Sequence, residues 1–316
     1  MTILLMTGNW SPSLAHRARL EQLAGVGRVV VAGDEAEALR AAETAEVIIG
    51  HRYLRQVLAH TPRLAWVQTS AAGVDQLPVA ELVRRGVVLT RNPLNSEAIA
   101  VHVLALLLAL VRRLPETLDA QRQGRWAPPP VMRALPRQVL LMGLGAIGQA
   151  LAPRLRGLGI RVLGCARRGT PAQRALCDEF VPAVEWRDAL PACDGLILAL
   201  PLDSQTAGMV DAAVLGRLAP GALLINVARA GLIDPPALLA ALESGQLGGA
   251  ALDVLDPVPP PDASLWRTPG LIITPKVAAY HPSMQRDFEA FTERQLSAYL
   301  RGLPLEASVV AREEMA

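Results

Sequence analysis

VLLMGLGAIGQALAPRLRGLGIRVLGCA, residues 139–166, decides how this 316-residue chain is read. An apolar run from Val139 leads directly into Gly143-Leu-Gly145-Ala146-Ile147-Gly148. An amphipathic stretch follows and closes on Gly157 and Gly159, and a second apolar run ends at Ala166. The pattern is strand, glycine turn, helix, strand. Gly143 suits the tight turn, Gly145 lets a pyrophosphate approach the backbone, and Gly148 lets the helix pack close to the strand. The helix that the motif opens offers unbonded amides and the positive end of its dipole to phosphate. The spacing predicts a dinucleotide-binding unit.

Outward from this unit, the second strand runs into Arg167-Arg168. An NAD site places an acidic residue near this point to hold the ribose 2′-hydroxyl. Here two arginines stand instead, and their forks suit a 2′-phosphate. NADP is therefore the preferred cofactor, with NAD possible; the competing reading of the pair is a solvated turn. Further apolar runs, DGLILAL, ALLINVA, GGAALDV and GLIITP, continue the alternation. A last helix is expected from Ser283 to Leu300, apolar at Phe288, Phe291, Leu296 and Leu300.

Toward the N-terminus the same alternation appears in ILLMT (from Ile3), VVVAG (Val29), VIIGH (Val47), LAWVQT (Leu64) and VVLTRN (Val87). The fold class expected is α/β, two Rossmann-like domains with parallel sheets. Between the two blocks lies a long helix, roughly Ser96 to Leu114. It is apolar almost all round and expected to be buried between layers or domains. The Pro- and Arg-rich WAPPPVMRALPRQ after it reads as a linker.

The balance of 31 basic against 29 acidic residues gives no reason to expect nucleic acid or a membrane as partner. The longest apolar stretch, Ala98 to Val111, contains His102 and falls short of the ~20 residues that a membrane helix needs. The N-terminus has no basic region of the signal-peptide kind. Cys165, Cys177 and Cys193 form no CxxC pair and are odd in number, which suits free thiols and a cytoplasmic location. His16, His51 and His60 show no ligand spacing, and no metal site is expected.

Of the 31 Lys+Arg residues, one alone is lysine, Lys276. Arginine stays protonated, whereas a lysine amine can exchange its proton at accessible pH. Lys276 is therefore the first candidate for acid–base chemistry.

Several stretches in order and in register give a family resemblance. They are LAWVQTSAAGVDQLP (from Leu64), NSEAIAVHVLALLLALVRRLPE (Asn95), GLGAIG, LPLDSQT (Leu200), INVARAGLID (Ile225), GAALDV (Gly249) and SLWRTPGLIITP (Ser264). Together they resemble the D-2-hydroxyacid dehydrogenases, most closely the glyoxylate/hydroxypyruvate reductase branch. The resemblance implies a substrate-binding, flavodoxin-like domain of residues 1–95 and 283–316, a dinucleotide-binding domain of residues 96–282, and an active site in the cleft between them. It implies that the amides around Ala72, Gly73 and Val74 hold the substrate carboxylate, and that Arg229 grips the 2-oxo acid and polarises its carbonyl. Leu200, Pro201, Thr206, Val227 and Ala228 are implied to line the cofactor, with Asp253 near the nicotinamide; a turn-capping carboxylate is the other reading of Asp253. The substrate implied is a small 2-oxo acid, and the assembly a homodimer through the long helix.

The departures from the family pattern are informative. The family's Thr-Pro-His is here Thr274-Pro275-Lys276, so the lone lysine stands in the place of the catalytic histidine. Counting forward through LDVLDPVPPPDASLW, the place of the partner glutamate falls on Val258, flanked out of register by Asp256 and Asp262. A glutamate of the interdomain helix is replaced by His102. A glutamate raises a histidine's pKa, whereas a lysine needs its own lowered, so apolar Val258, burial and Arg229 nearby would suit Lys276 as acid/base. His281, five residues on, is a further substrate-binding candidate. Two other readings stay open: an NAD(P)H-binding regulatory protein, and an imine or carbonyl reductase using Lys276.

Overall fold

The apolar runs read as strands from the sequence all become parallel strands. The computed structural model describes residues 1–6, 11–128 and 133–309, and it divides into two α/β units. The first comprises Met1–Asn95 and His281–Ala316, the second Ser96–Tyr280. His281 and Pro282 thus fall in the first unit rather than the second. The reason is local: the His281 carbonyl accepts from Met284 N–H, which ties it to the start of the last helix. Residues 129–132 of the segment read as a linker lie outside the described residues.

The first unit holds β1 (Thr2–Met6), β2 (Val29–Ala32), β3 (Ala45–Ile49), β4 (Trp66–Gln68) and β5 (Val88–Thr90). They form a parallel sheet in the order β2-β1-β3-β4-β5. Alternate residues face opposite sides. Leu4, Met6, Ile48, Val67 and Leu89 pack with Ala38 and Leu82. Ile3, Leu5, Val47, Ile49 and Trp66 pack on the other side with Leu20, Phe288 and Leu296. The last two come from the Met284–Leu300 helix, so the chain's end completes its first unit. Leu300, expected on the apolar stripe, is exposed at the helix end.

Polar contacts fix that return. His16 is 1 % exposed, and its Nδ1 lies 2.8 Å from Glu293. The Ser13 hydroxyl and amide both donate to the Glu289 carboxylate, at 2.7 and 2.8 Å. Burial works against charge on Glu289, but hydrogen bonds from Gln285 and Ser13 outweigh it and hold the carboxyl below the usual range.

The second unit holds β6 (Gln138–Met142), β7 (Arg161–Ala166), β8 (Glu179–Pro182), β9 (Gly195–Leu198), β10 (Ala222–Asn226), β11 (Leu247–Leu252) and β12 (Leu271–Ile273). Its parallel sheet runs β12-β11-β10-β9-β6-β7-β8. The edge strand β8 is not among the runs read from sequence; Val181 is its one buried residue. Cys165, Cys177 and Cys193 are free and buried, and burial pushes the Cys165 thiol up to about 12 and the Cys193 thiol up to about 11. Such thiols pack the core and are poor nucleophiles.

The long helix departs from expectation twice. It ends at Val111, because Arg113 takes a left-handed backbone (φ 50°) and a new helix, Leu114–Arg122, opens around Pro115. Proline has no N–H to continue the ladder and its ring collides with the turn before it. Nor is the helix buried all round. Ile99, Val103, Leu106, Leu107 and Leu110 pack into the core, while Val101, Ala105 and Leu108 form an exposed stripe. Among the described residues no single helix is long and apolar enough to cross a membrane.

Candidate active site

The strand order of the second unit reverses between β6 and β9, and this is where a parallel sheet opens a crevice at its carboxyl end. Gly143 follows β6 with φ 103°, and a Cβ there would lie 2.4 Å from the Ala199 carbonyl oxygen at the end of β9. Gly148 is equally constrained: a Cβ would lie 2.0 Å from the Gly143 carbonyl oxygen. Gly145 is different. It caps the Ala146–Gly157 helix, is exposed, and a Cβ would meet nothing within 4 Å. The first two glycines serve the fold; the third leaves room beside the unbonded amides of a helix N-terminus. Ala146 is exposed there, and Ile147 turns inward onto the core.

Arg167 follows β7, and its guanidinium donates to the Asp203 carboxylate in the loop after β9. Because β7 and β9 flank β6, this pair bridges the strand end from which the glycine turn springs. Burial opposes charge on Asp203, but hydrogen bonds from Arg167, Gln205 and Thr206 prevail and keep the carboxyl below its usual range. Arg168 is exposed with no partner among the described residues. Thr206 is buried; its hydroxyl donates to the Pro201 carbonyl at 2.9 Å and accepts from Asp203 N–H at 2.8 Å. It shapes the Leu200–Thr206 loop, in which Pro201 is exposed and Leu200 packs on the core.

At the end of β10 a fully buried carboxamide does the positioning. Asn226 Oδ1 accepts from Ala228 N–H at 2.9 Å, and its Nδ2 donates to the Arg229 carbonyl at 2.8 Å. Val227 and Ala228 are buried beneath this turn, and Arg229, half-buried, donates from Nη1 to the Ala228 carbonyl at 2.7 Å.

Asp253, 3 % exposed, plays the matching part after β11. It accepts from the Thr274 hydroxyl at 2.6 Å and from the Val277 and Ala278 amides at 3.0 Å each. Its carboxylate therefore caps the turn after β12, and that turn carries Lys276. Lys276 has φ 57°, and its amide donates to the Thr274 carbonyl at 2.9 Å. Left-handed backbone costs a residue with a side chain ~1–2 kcal/mol, so the Asp253 bonds offset a strained geometry. His102, from the long helix, places Nε2 3.1 Å from Thr274 Oγ1 and 3.6 Å from Asp253 Oδ1. Lys276 is exposed and Val258 is 70 % exposed, so Val258 does not give the lysine the apolar, buried setting expected of it.

Lys276, Asp253, Arg229, the Leu200–Thr206 loop, the glycine turn and Arg167 thus follow the carboxyl ends of six adjacent strands, β12 to β7, in that order. At ~4.8 Å between strands the row is about 24 Å long. In the first unit, the loop after β4 carries Ala72, Gly73 and Val74, whose amides meet no acceptor among the described residues. His281, of the same unit, has Nδ1 3.3 Å from the Ser283 hydroxyl, which itself donates to Asp287; its Nε2 is buried without a partner among the described residues. Among the described residues no three His, Cys, Asp or Glu side chains gather as metal ligands. Sequence reading assigned no role to Asn226 or to the Thr274 hydroxyl; a polar residue closing an apolar strand is the signal that marks both.

The reversal, the glycine turn and the exposed helix start fit a dinucleotide and define the class, a Rossmann-type dinucleotide-binding protein. The NAD binding domain of the D-isomer specific 2-hydroxyacid dehydrogenases matches residues 104–278. Glyoxylate reductase of Pyrococcus furiosus is 31 % identical over 266 residues, covering 81 % of this chain and 78 % of that protein. D-3-phosphoglycerate dehydrogenase of Mycobacterium leprae is 32 % identical over 257 residues, covering 80 % of this chain and 47 % of that one. The NADPH-dependent glyoxylate/hydroxypyruvate reductase of Sinorhizobium meliloti has a similar structure, with TM-score 0.81, 28 % identity and 98 % of each chain covered. The chain belongs to the D-isomer specific 2-hydroxyacid dehydrogenase family, and with it to the NAD(P)-dependent 2-hydroxyacid dehydrogenases.

The glycines separate fold from binding. Gly148→Ala should lower unfolding stability in urea by ~1–3 kcal/mol through overpacking. Gly145→Ala should leave stability within about 0.5 kcal/mol and weaken NAD(P)H binding, read by fluorescence titration, about tenfold or more. Tight NAD(P)H binding by Gly145→Ala would remove the turn from the cofactor site.

Proposed function

We propose that the protein reduces a small 2-oxo acid, of the glyoxylate or hydroxypyruvate kind, to the D-2-hydroxy acid, with NADPH preferred over NADH and Lys276 as proton donor. The observation that carries this reading is the lone lysine in a strained turn capped by Asp253, at the head of the row of strand ends that leads to the glycine turn.

A nicotinamide held at the glycine turn would supply a hydride for C2 of the substrate. The amides of Ala72, Gly73 and Val74 hold the substrate carboxylate. Arg229, its backbone held by Asn226, sets its planar fork against the oxo acid and polarises the carbonyl. The Lys276 ammonium has only donors to offer and gives the proton that the carbonyl oxygen takes up as it gains charge. Capping keeps that donor in one backbone geometry, which is what an aligned proton transfer needs.

Arg167, on leaving Asp203, and Arg168 would hold the 2′-phosphate of NADPH, and the glycine-turn amides would hold the pyrophosphate. The protein is a homodimer. Val101 and Leu108 on the long helix, Leu114 and Leu118 on the next, and the fully exposed Trp126 supply apolar surface within one stretch of chain that a second copy would cover. Its thiols suit the reducing cytoplasm.

Three measurements test this reading. NADPH oxidation with glyoxylate or hydroxypyruvate should be abolished in Lys276→Met while NADPH still binds. Lys276→His should keep some turnover, with the alkaline loss of activity moved to lower pH because an imidazolium releases its proton before an ammonium. Full turnover by Lys276→Met would end the assignment. The double change Arg167→Ala/Arg168→Ala should shrink the NADPH-over-NADH preference in kcat/KM by ~10–100-fold, the worth of a charged hydrogen bond. Sedimentation should give a dimer that Leu108→Asp dissociates; a monomeric parent protein would refute the interface.

A further inference from the structure

The direction of each hydrogen bond around Thr274 can be assigned. Its hydroxyl has a single hydrogen, which goes to Asp253 Oδ1 at 2.6 Å. Toward His102, 3.1 Å away, the hydroxyl oxygen can then only accept, so His102 carries its proton on Nε2. That proton also faces Asp253 Oδ1 at 3.6 Å. The two carboxylate oxygens meanwhile accept from the Val277 and Ala278 amides on the far side of Lys276. A chain of directed bonds therefore runs from the Ser96–Val111 helix through His102, Thr274 and Asp253 to the backbone that flanks Lys276.

We propose that His102 is a positioning residue: its Nε2–H aims the Thr274 hydroxyl at Asp253, and through that carboxylate holds the Lys276 turn in its left-handed geometry. Without this donor the Thr274 hydroxyl is free to rotate, and Asp253 Oδ1 loses its shortest bond. The amides of Val277 and Ala278 then open more often, and the Lys276 backbone relaxes toward ordinary dihedral angles. The side chain of His102 is about one-fifth exposed and its helix is anchored in the core, so the donor is held by the helix rather than by the loop it orders.

In its kinetic part the proposal rests on Lys276 being the proton donor; in its structural part it does not. The experiment separates the two by comparing His102→Leu, His102→Gln and Thr274→Val in the full chain. Amide hydrogen exchange over residues 274–280 should be about tenfold faster in His102→Leu and near the parent rate in His102→Gln, whose amide can donate to Thr274. In NADPH-dependent reduction of glyoxylate, His102→Leu should lower kcat about tenfold and leave both KM values within about twofold, and His102→Gln should restore kcat. Thr274→Val breaks the same chain from its middle and should behave as His102→Leu, which keeps the comparison intact should His102→Leu fail to fold. Unchanged exchange in His102→Leu and Thr274→Val overturns the proposal, as does faster exchange that His102→Gln fails to restore. Faster exchange with no change in kcat would instead sustain the positioning chain and count against Lys276 as the proton donor.

Discussion

Two strands that leave a parallel sheet in opposite directions must bring their carboxyl ends into contact before they part. Each unit meets that constraint with a glycine at φ 103°. In the second unit Gly143 lies against the Ala199 carbonyl; in the first, Gly50 after β3 lies against the Met6 carbonyl, where a Cβ would come within 2.2 Å. No side chain fits at either point, so backbone meets backbone. The glycine turn, the loop after β9 and the row of residues beyond it all take their places from the contact at Gly143.

Given that frame, the candidate site is built by polar side chains at strand ends that hold the turns around them. Asn226 is fully buried and bonds the backbone of the turn it opens, at Ala228 and Arg229; Asp253, nearly as buried, bonds the Thr274 hydroxyl and the Val277 and Ala278 amides after the next strand. A buried carboxylate is costly unless its oxygens are satisfied, and Asp253 has three donors among the described residues, apart from His102. Arg229 and Lys276 are thus set in place through their main chains.

Much of the fold was legible because burial on both sheet faces demands uninterrupted apolar runs, and such runs stand out. β8 escaped because an edge strand with one buried residue, Val181, writes no run. The helix break at Arg113 could be placed only roughly, since proline marks a region rather than a residue. In the site, the glycine spacing and the lone lysine were visible as local pattern and composition. What pairing across the chain decides was not. Arg167 meets Asp203 from 36 positions away, and His102 meets Thr274 from 172. The expected apolar setting of Lys276 failed for the same reason: position in an alignment says where Val258 falls along the chain, not whether it is covered, and it is exposed.

The left-handed backbone of residue 276 is imposed from outside, by Asp253, rather than by anything in the lysine itself. A glycine would sit there with less strain, so a side chain at this position is kept at the expense of stability. It also follows that the scaffold is indifferent to which side chain that is. Side chains of different chemistry can be exchanged there on one unchanged support, with a single codon and without refolding the turn.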